Sequence, residues 1–350
     1  MLFMLSSLAC RRTQPLLQPT RWAPCNSTRM NAEREGVVVV VNPVKFDLED
    51  VRDDLRAAAS AAGLEEPTLV ETTEDDPGFG QAREAVRNGA ALVCVLGGDG
   101  TVRAVAQELV GTGVPLGLLP GGTGNLLARN LGLPIDSLSD AAAAAFSGRD
   151  RSIDVGWMVV DPTEDQLEGA LGDLDTGADN VHCFTVMAGL GFDAQIMDDA
   201  PEGVKDKAGW AAYVASGGQH LTDDPFELEL SVDGTSSTSE ARGVVVGNCG
   251  ELTGGMELLP DAVVDDGLLD VAVISPGGLK DWLGMAARVL TGRGEGPSLD
   301  RDRGRDLTVR VEPQQLCEVD GDVLTDASRL RFVVQPGCLV VRVARDEDEG

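Results

Sequence analysis

Two glycine-rich turns each follow a short apolar run. Gly97-Gly98-Asp99-Gly100-Thr101 comes after Ala91–Leu96, and Gly121-Gly122-Thr123-Gly124-Asn125 comes after Leu118-Leu119-Pro120. Glycine lets the backbone come close to a ligand at such turns, and the unpaired amides of a following helix start favour an anion. In an open α/β sheet these turns line the crevice at the carboxyl ends of the strands, so two of them on neighbouring strands suggest a polyphosphate held between them. Asp99 adds a detail. A carboxylate beside a phosphate is repulsive unless a cation bridges the two or the acid moves a proton, and magnesium is the usual cation. The plain alternative is that Asp99 caps the helix that starts near Thr101.

The elements needed to carry these turns are legible around them. Val37–Val41 is a continuous apolar run, as in a buried parallel strand. Asp47 can cap a helix whose Leu48, Val51, Leu55, Ala58 and Ala62 recur at helical spacing up to Gly63. A strand near Leu69, a helix at Gln81–Arg87, a strand at Ala91–Leu96, a helix at Val102–Val110 and a strand at Val114–Leu119 follow. This alternation predicts an open parallel sheet covered on both faces. Past Arg149–Asp154 the pattern changes to strand-like runs at Val155–Val160, Cys183–Ala188, Phe226–Val232, Arg242–Gly247, Leu268–Ile274, Leu307–Val311, Leu330–Val334 and Leu339–Val343. These predict an all-β second domain, a sandwich. The expected division is a disordered tail over 1–35, an α/β nucleotide-binding domain over 36–150, a β-sandwich domain over 151–345 and an acidic tail over 346–350. Residues 161–180 carry seven acids and no base, and read as a solvated insertion.

Composition removes several function classes. The chain has 350 residues, 43% of them hydrophobic, and a formal net charge of −30. That is ample for a core and carries no basic footprint for nucleic acid. An excess of carboxylates with few lysines would also suit a high-salt habitat. The seven cysteines are scattered without CxxC spacing, and two histidines cannot build a His-rich metal centre. The tail holds Arg11, Arg12, Arg21 and Arg29 but no convincing secretory signal, and a start at Met30 would remove most of it. No stretch is long enough and apolar enough to span a bilayer as a helix. The expected location is cytoplasmic, with peripheral contact at the inner membrane face.

Competing phosphate motifs are missing. There is no GxxxxGK[ST], and the first strand runs into Asn42-Pro43-Val44-Lys45 instead of GxGxxG. Gly189-Leu190-Gly191-Phe192-Asp193-Ala194 fits GxGxxA but lies in the β-rich half.

Asn42-Pro43 after the first strand, GGDGT at 97–101 and PGGTGNLLARNLGLP at 120–134 resemble the diacylglycerol kinase catalytic-domain family. That family includes bacterial lipid kinases and is related to sphingosine kinases and NAD kinases. The similarity continues through AGLGFDA at 188–194, VGN at 246–248, LLPDAVVDDGLLDV at 258–271 and VDGD at 319–322. The resemblance implies a two-domain kinase with ATP in the cleft between an α/β domain and a β-sandwich. It implies nucleotide contacts from Asn42, Pro43, Thr73, Gly97, Gly98, Asp99, Gly100, Thr101, Gly122, Thr123 and Asn125. It also implies a magnesium site at Val263, Asp266 and Leu268, and a proton acceptor in the Asp320-Gly321-Asp322 segment. This chain departs from the family pattern at Val44-Lys45-Phe46, at Leu126 after GTGN, and at Asp322, where glutamate is usual.

The expected activity is direct transfer of the ATP γ-phosphoryl to the hydroxyl of diacylglycerol or a related long-chain lipid alcohol. Asp322 or Asp320 would serve as base. Magnesium would be tied to Asp99 through water, with Asp266 as a further ligand. Two alternatives stay open: NAD kinase-like phosphorylation of a soluble nucleotide, and a nucleotide-binding regulator without catalysis. The acceptor would lie at the membrane surface, met transiently, and a homodimer is left open. A helix over Lys280–Gly292, with Trp282, Leu283, Ala286, Val289 and Leu290 on one side, could line a lipid tunnel or cover the sandwich. Arg288, Arg293, Arg301, Arg303, Arg305 and Arg310 could meet anionic headgroups, or pair with the interleaved Glu295, Asp300, Asp302 and Asp306.

Overall fold

The computed structural model describes residues 34–44, 46–191, 225–252, 256–275 and 299–345. The helix expected over 280–292, Arg288, Arg293, Phe192-Asp193-Ala194 and most of both tails lie outside the described residues.

The α/β half opens with β1 (Val37–Val41), five valines in a row. Then come α1 (Leu48–Ala61), β2 (Thr68–Glu71), α2 (Phe79–Arg87), β3 (Leu92–Gly97), α3 (Asp99–Leu109), β4 (Leu116–Pro120), α4 (Leu126–Asn130) and α5 (Leu138–Ser147). Strands β2-β1-β3-β4 pair in that order and in parallel. Side chains alternate between the faces of a strand, and the core follows that alternation. Val37, Val39, Val41, Cys94 and Leu96 pack with Leu55 of α1 and Ala142 of α5. Val40, Val93 and Val95 pack with Ala82 of α2 and Val105 of α3. The sheet is therefore covered on both faces, as continuous apolar strands require. Asp47 caps α1 as expected, its Oδ1 accepting from the Glu49 amide at 3.0 Å. Burial pushes the Cys94 thiol up to about 12, as befits a core residue.

The second half is a β-sandwich. It contains β5 (Arg149–Val160), a short α6 (Glu164–Glu168), β6 (Val181–Phe184), β7 (Met187–Gly191), β8 (Phe226–Val232), β9 (Thr235–Ala241) and β10 (Gly243–Gly247). After these come β11 (Glu251–Leu252), β12 (Met256–Glu257), β13 (Leu269–Ile274), β14 (Leu299–Gly304), β15 (Asp306–Val319) and β16 (Asp322–Val343). Its own core is built on Met158, Leu190, Leu228, Val309 and Leu330, with Phe184 edge-on to Phe332 at 6.2 Å.

The halves share a stem. The runs at 330–334 and 339–343 are one strand, β16, irregular between Gln335 and Leu339 where Gly337 turns the chain at φ 57°. Its end pairs with the start of β5, Val343 opposite Arg149, and Val341 meets Leu116 of β4 in parallel. Strand β5 thus runs across the division expected at 150, and the sheets of both halves are continuous.

The acidic insertion is not simply a solvated loop. Thr163 and Gln166 form a capping box at the start of α6, and Leu171 is buried in the core shared with α3. The buried Arg331 holds the segment by donating to the carbonyls of Gln166 and Gly169 while pairing with Asp306. The acids are exposed, though Asp161 also anchors the segment by accepting from Ser328 and the Arg329 amide, and Glu164 pairs with Arg329. In the basic stretch, Arg301 donates to the Leu258 carbonyl and Arg303 lies opposite Asp270 across β13 and β14. That pairing leaves less of the stretch for headgroups than its sequence density implied.

Candidate active site

The two glycine turns sit side by side because β3 and β4 are in register, Gly97 opposite Pro120. They touch backbone to backbone. A Cβ on Gly121 would stand 2.4 Å from the Gly97 nitrogen and 2.5 Å from its oxygen. A Cβ on Gly97 would meet the Thr101 side chain at 2.8 Å, which explains why Thr101 is buried beneath the turn. Asn125 adopts the left-handed conformation at φ 47° and folds its side chain back over the loop. Its Oδ1 accepts from the Gly122 amide at 3.0 Å and the Gly121 amide at 3.3 Å, and its Nδ2 donates to the Gly122 carbonyl. Thr123 stands exposed at the tip.

Asp99 makes a contact that the sequence did not mark. It lies in the first turn of α3, yet its Oδ1 accepts from the Leu126 amide of α4 at 2.8 Å. Gly124 leaves the room for this, since a Cβ there would fall 2.4 Å from Asp99 Oδ2. The carboxylate therefore caps the second helix and fastens the two turns together. Capping is the work of a fixed acceptor, and α4 needs one because its own N-cap residue, Asn125, makes no side-chain cap bond.

Neighbouring strand ends complete the rim. Asn42 follows β1 and accepts from the Val44 amide at 3.1 Å, with Pro43 half-buried beside it. Thr73 lies past β2, and its hydroxyl accepts from the Asp76 amide at 3.1 Å. Asp76 in turn accepts from Gly78 and Gly80 at the start of α2.

The β-sandwich contributes a hairpin to the same place. Val319 pairs with Asp322, and the two residues between, Asp320 and Gly321, have φ 46° and 86°. Positive φ at both central positions is the primed two-residue turn that Asp-Gly favours. The buried Glu318 secures it by accepting from the Gly321 amide at 2.8 Å. The hairpin brings the Asp322 carboxylate to Gly100 of the first glycine turn, where a Cβ would lie 3.0 Å from Oδ2. Asp322 also pairs with Arg103 of α3 at 2.6 Å, and its side chain is half exposed.

Asp320 points the other way. Its Oδ2 accepts from the Thr185 amide and hydroxyl, and its Oδ1 from the amides of Val186 and Met187. Burial pushes its carboxyl up, against the pull of those amides and of Arg103. With its acceptor sites taken by the β6–β7 link, this carboxylate has no room to take a substrate proton. The structure separates the two acids: Asp320 is an internal strut and Asp322 is the one presented to the cradle.

The Val263–Leu268 turn is fastened by a buried acid. Asp154, buried in β5, accepts from the Gly267 amide at 2.6 Å and the Gly337 amide at 2.7 Å, and its own amide donates to the Val264 carbonyl. Next to Gly337, the Cys338 carbonyl accepts from Gly111, just past the C-terminal end of α3. Asp99 is at the N-terminal end of that helix, roughly 16 Å away at 1.5 Å per residue. The expected magnesium ligands Val263, Asp266 and Leu268 thus sit on a turn fastened by Asp154, while Asp99 is fastened to the Leu126 amide. Burial raises the Asp154 carboxyl, with Asp266 and Asp265 adding to the rise.

A diacylglycerol kinase catalytic domain matches residues 36–158, and a YegS C-terminal NAD kinase β-sandwich-like domain matches residues 186–343. A Pseudomonas aeruginosa protein named "Probable lipid kinase YegS-like" is 32% identical over 316 residues, covering 89% of this chain and 95% of its own length. The chain belongs to this lipid kinase family. A Salmonella typhimurium relative named "Probable lipid kinase YegS" is 28% identical over 268 residues, 75% of this chain and 81% of its own. A solved diacylglycerol kinase from Bacillus anthracis shares the fold at a TM-score of 0.69 and 20% identity, covering 89% of this chain and 98% of that one.

Against the family pattern, sequence reading missed four residues that build the site. Arg103, Asp154 and Glu318 drew no functional reading from the sequence. Asn248 of the VGN segment proves to be buried, donating to the Asp154 and Thr185 carbonyls. Only the Asp320-Gly321 turn carried a local signal that could have oriented the two acids. Among the described residues no helix is long and apolar enough to cross a membrane.

Proposed function

We propose that the protein is an ATP-dependent lipid kinase that transfers the γ-phosphoryl group to the hydroxyl of diacylglycerol or a related long-chain alcohol. The observation that carries this is the meeting of Asp322 with Gly100: the β-sandwich delivers one half-exposed carboxylate to the mouth of a backbone-lined anion cradle. The triphosphate would lie along the turns at 97–101 and 121–125, with Asn42 and Thr73 at its rim. Asp322 would orient the acceptor hydroxyl and take its proton as the oxygen bonds to the γ-phosphorus and the bond to the β,γ-bridging oxygen breaks, releasing ADP. Positioning and electrostatics dominate such transfers.

Magnesium fits the chemistry of the Val263–Leu268 turn. The Val263 and Leu268 carbonyls and the exposed Asp266 carboxylate offer oxygen alone, which a hard cation prefers. Asp266 Oδ1 accepts from the Leu268 amide at 3.0 Å, which shapes the turn around it. Magnesium bound with the triphosphate would offset charge on the β- and γ-phosphates. The lipid would be met at a membrane surface, peripherally and transiently, since the net charge of −30 repels anionic headgroups.

The test is the full chain with γ-labelled ATP, magnesium and lipid extracts in detergent, beside NAD and an Asp322→Asn control. Label on a lipid band, lost in the control, is the expected result. Label on NAD alone, or ATP binding without any labelled acceptor, would sink it.

A further inference from the structure

Arg103 lies one helical turn beyond Asp99, on the face of α3 that meets the β15–β16 hairpin. Its Nη2 donates to Asp322 Oδ2 at 2.6 Å, a contact between residues 219 positions apart. The pair is asymmetric: the Arg103 side chain is 15% exposed, that of Asp322 50%. The buried partner is thus the fixed one, and the carboxylate is held at its edge. The same Oδ2 atom faces the bare Cα of Gly100. One oxygen is clamped between a guanidinium and a glycine, while Oδ1 has no hydrogen bond among the described residues. A single charge-assisted bond of this length fixes a two-torsion side chain well. Arg103 also acts on two further titratable residues here. It favours the ionised form of Asp320 and disfavours protonation of His182. The positive charge therefore sits where the hairpin, β6 and the cradle converge.

We propose that Arg103 is a positioning residue for the phosphoryl transfer, clamping Asp322 Oδ2 against Gly100 so that Oδ1 is turned toward the acceptor hydroxyl. This rests on the kinase reading above. Aspartate is shorter by one methylene than the glutamate usual at this position, so the clamp supplies by orientation what the side chain lacks in reach. Arg103 touches neither the phosphates nor the acceptor; it acts through Asp322.

The test compares full-length wild type with Arg103→Met, Arg103→Lys, Asp322→Asn and the reversed pair Arg103→Asp with Asp322→Arg. The readouts are lipid phosphorylation kinetics and ATP-induced thermal shifts. Arg103→Met should lower kcat about 10²-fold, the order expected for a misplacement of about 1 Å. Its KM for ATP should stay within about twofold. Arg103→Lys should recover kcat to within about tenfold of wild type, and it carries the same comparison if the methionine variant does not fold. The reversed pair should melt like wild type yet be as inactive as Asp322→Asn. A stability loss in Arg103→Met that the reversed pair restores, with kcat unchanged in the methionine variant, would mark a structural ion pair instead, and that result overturns the proposal. Wild-type kcat in Arg103→Met, or in Arg103→Lys where only that variant folds, overturns it as well. A wild-type chain that binds ATP but labels no acceptor removes the kinase reading and the proposal together. A labelled lipid with an unaffected Arg103→Met removes only the proposal.

Discussion

The carboxylate of Asp99 belongs structurally to Leu126: it begins α3 but caps α4, accepting from the Leu126 amide at 2.8 Å. One side chain thereby sets the spacing of the two glycine turns. Asp99→Asn keeps an acceptor oxygen and should leave the melting point close to wild type. Asp99→Ala removes the cap and should cost about 0.5–2 kcal/mol, with a weaker ATP-induced thermal shift. Gly124→Ala pushes a methyl to 2.4 Å from the same carboxylate and should weaken ATP binding in the same way. Calorimetric ATP titration of the three variants checks this; an Asp99→Ala protein that binds ATP like wild type would show that the cap does not shape the cradle.

Asp320 and Asp322 should separate cleanly under mutation. Asp320→Ala leaves the amides of Thr185, Val186 and Met187 without their buried acceptor. Unpaired buried donors cost about 1–3 kcal/mol each, less what relaxation recovers, so a loss of about 2–5 kcal/mol is expected in chemical denaturation. Asp322→Asn disturbs a half-exposed pair, worth roughly 0–1 kcal/mol. It should fold normally while phosphorylation falls about 10²–10⁴-fold. Equal stability losses in the two variants would contradict the division of roles.

The contrast also shows where sequence reading stops. The α/β half was legible because its strands are uninterrupted apolar runs and its turns are marked by glycine. Val37–Val41 and the two turns fall where periodicity put them. The β-sandwich was legible as a class but not in its joins. Nothing local says that 330–334 and 339–343 are one strand, because Gly337 reads as a break when it is a bend within β16. The site was half legible. Backbone cradles show as glycine, but whether an acid is strut or base depends on partners far away in the chain. Asp320 and Asp322 look alike until Thr185 and Gly100 are placed beside them. The same limit hid Arg331, whose partners at Gln166 and Gly169 are backbone atoms.

Arg331 gives a test of the insertion. Replacing it with alanine removes the bidentate pair with Asp306 and frees the carbonyls of Gln166 and Gly169. Asp306 is partly exposed and rehydrates, so about 2–4 kcal/mol is expected instead of the full cost of a buried orphan charge. Limited proteolysis should then cut first within 161–180, ahead of any cut in the sandwich. Digestion that begins elsewhere with the insertion intact would mean that Leu171 and the bonds of Asp161 and Asn180 hold it without Arg331.

His182 supplies a pH dependence that its own replacement isolates from that of Asp270, whose carboxyl is raised to about 6 by burial. Burial holds its imidazole below the usual histidine range, and the nearby Arg103 charge pushes in the same direction. The folded state therefore binds a proton less readily than the unfolded chain. At pH 8 the ring is neutral in both states and the histidine takes nothing from stability. As pH falls through about 6.5, the unfolded chain takes up the proton first, so unfolding is favoured and stability drops until the folded ring titrates too. Denaturation midpoints between pH 8 and pH 5 should fall more steeply for wild type than for His182→Gln, which has no proton to gain. Arg103→Met should lie between them, because it relieves the smaller of the two causes and leaves the ring buried. Parallel curves for wild type and His182→Gln would place the acid sensitivity elsewhere.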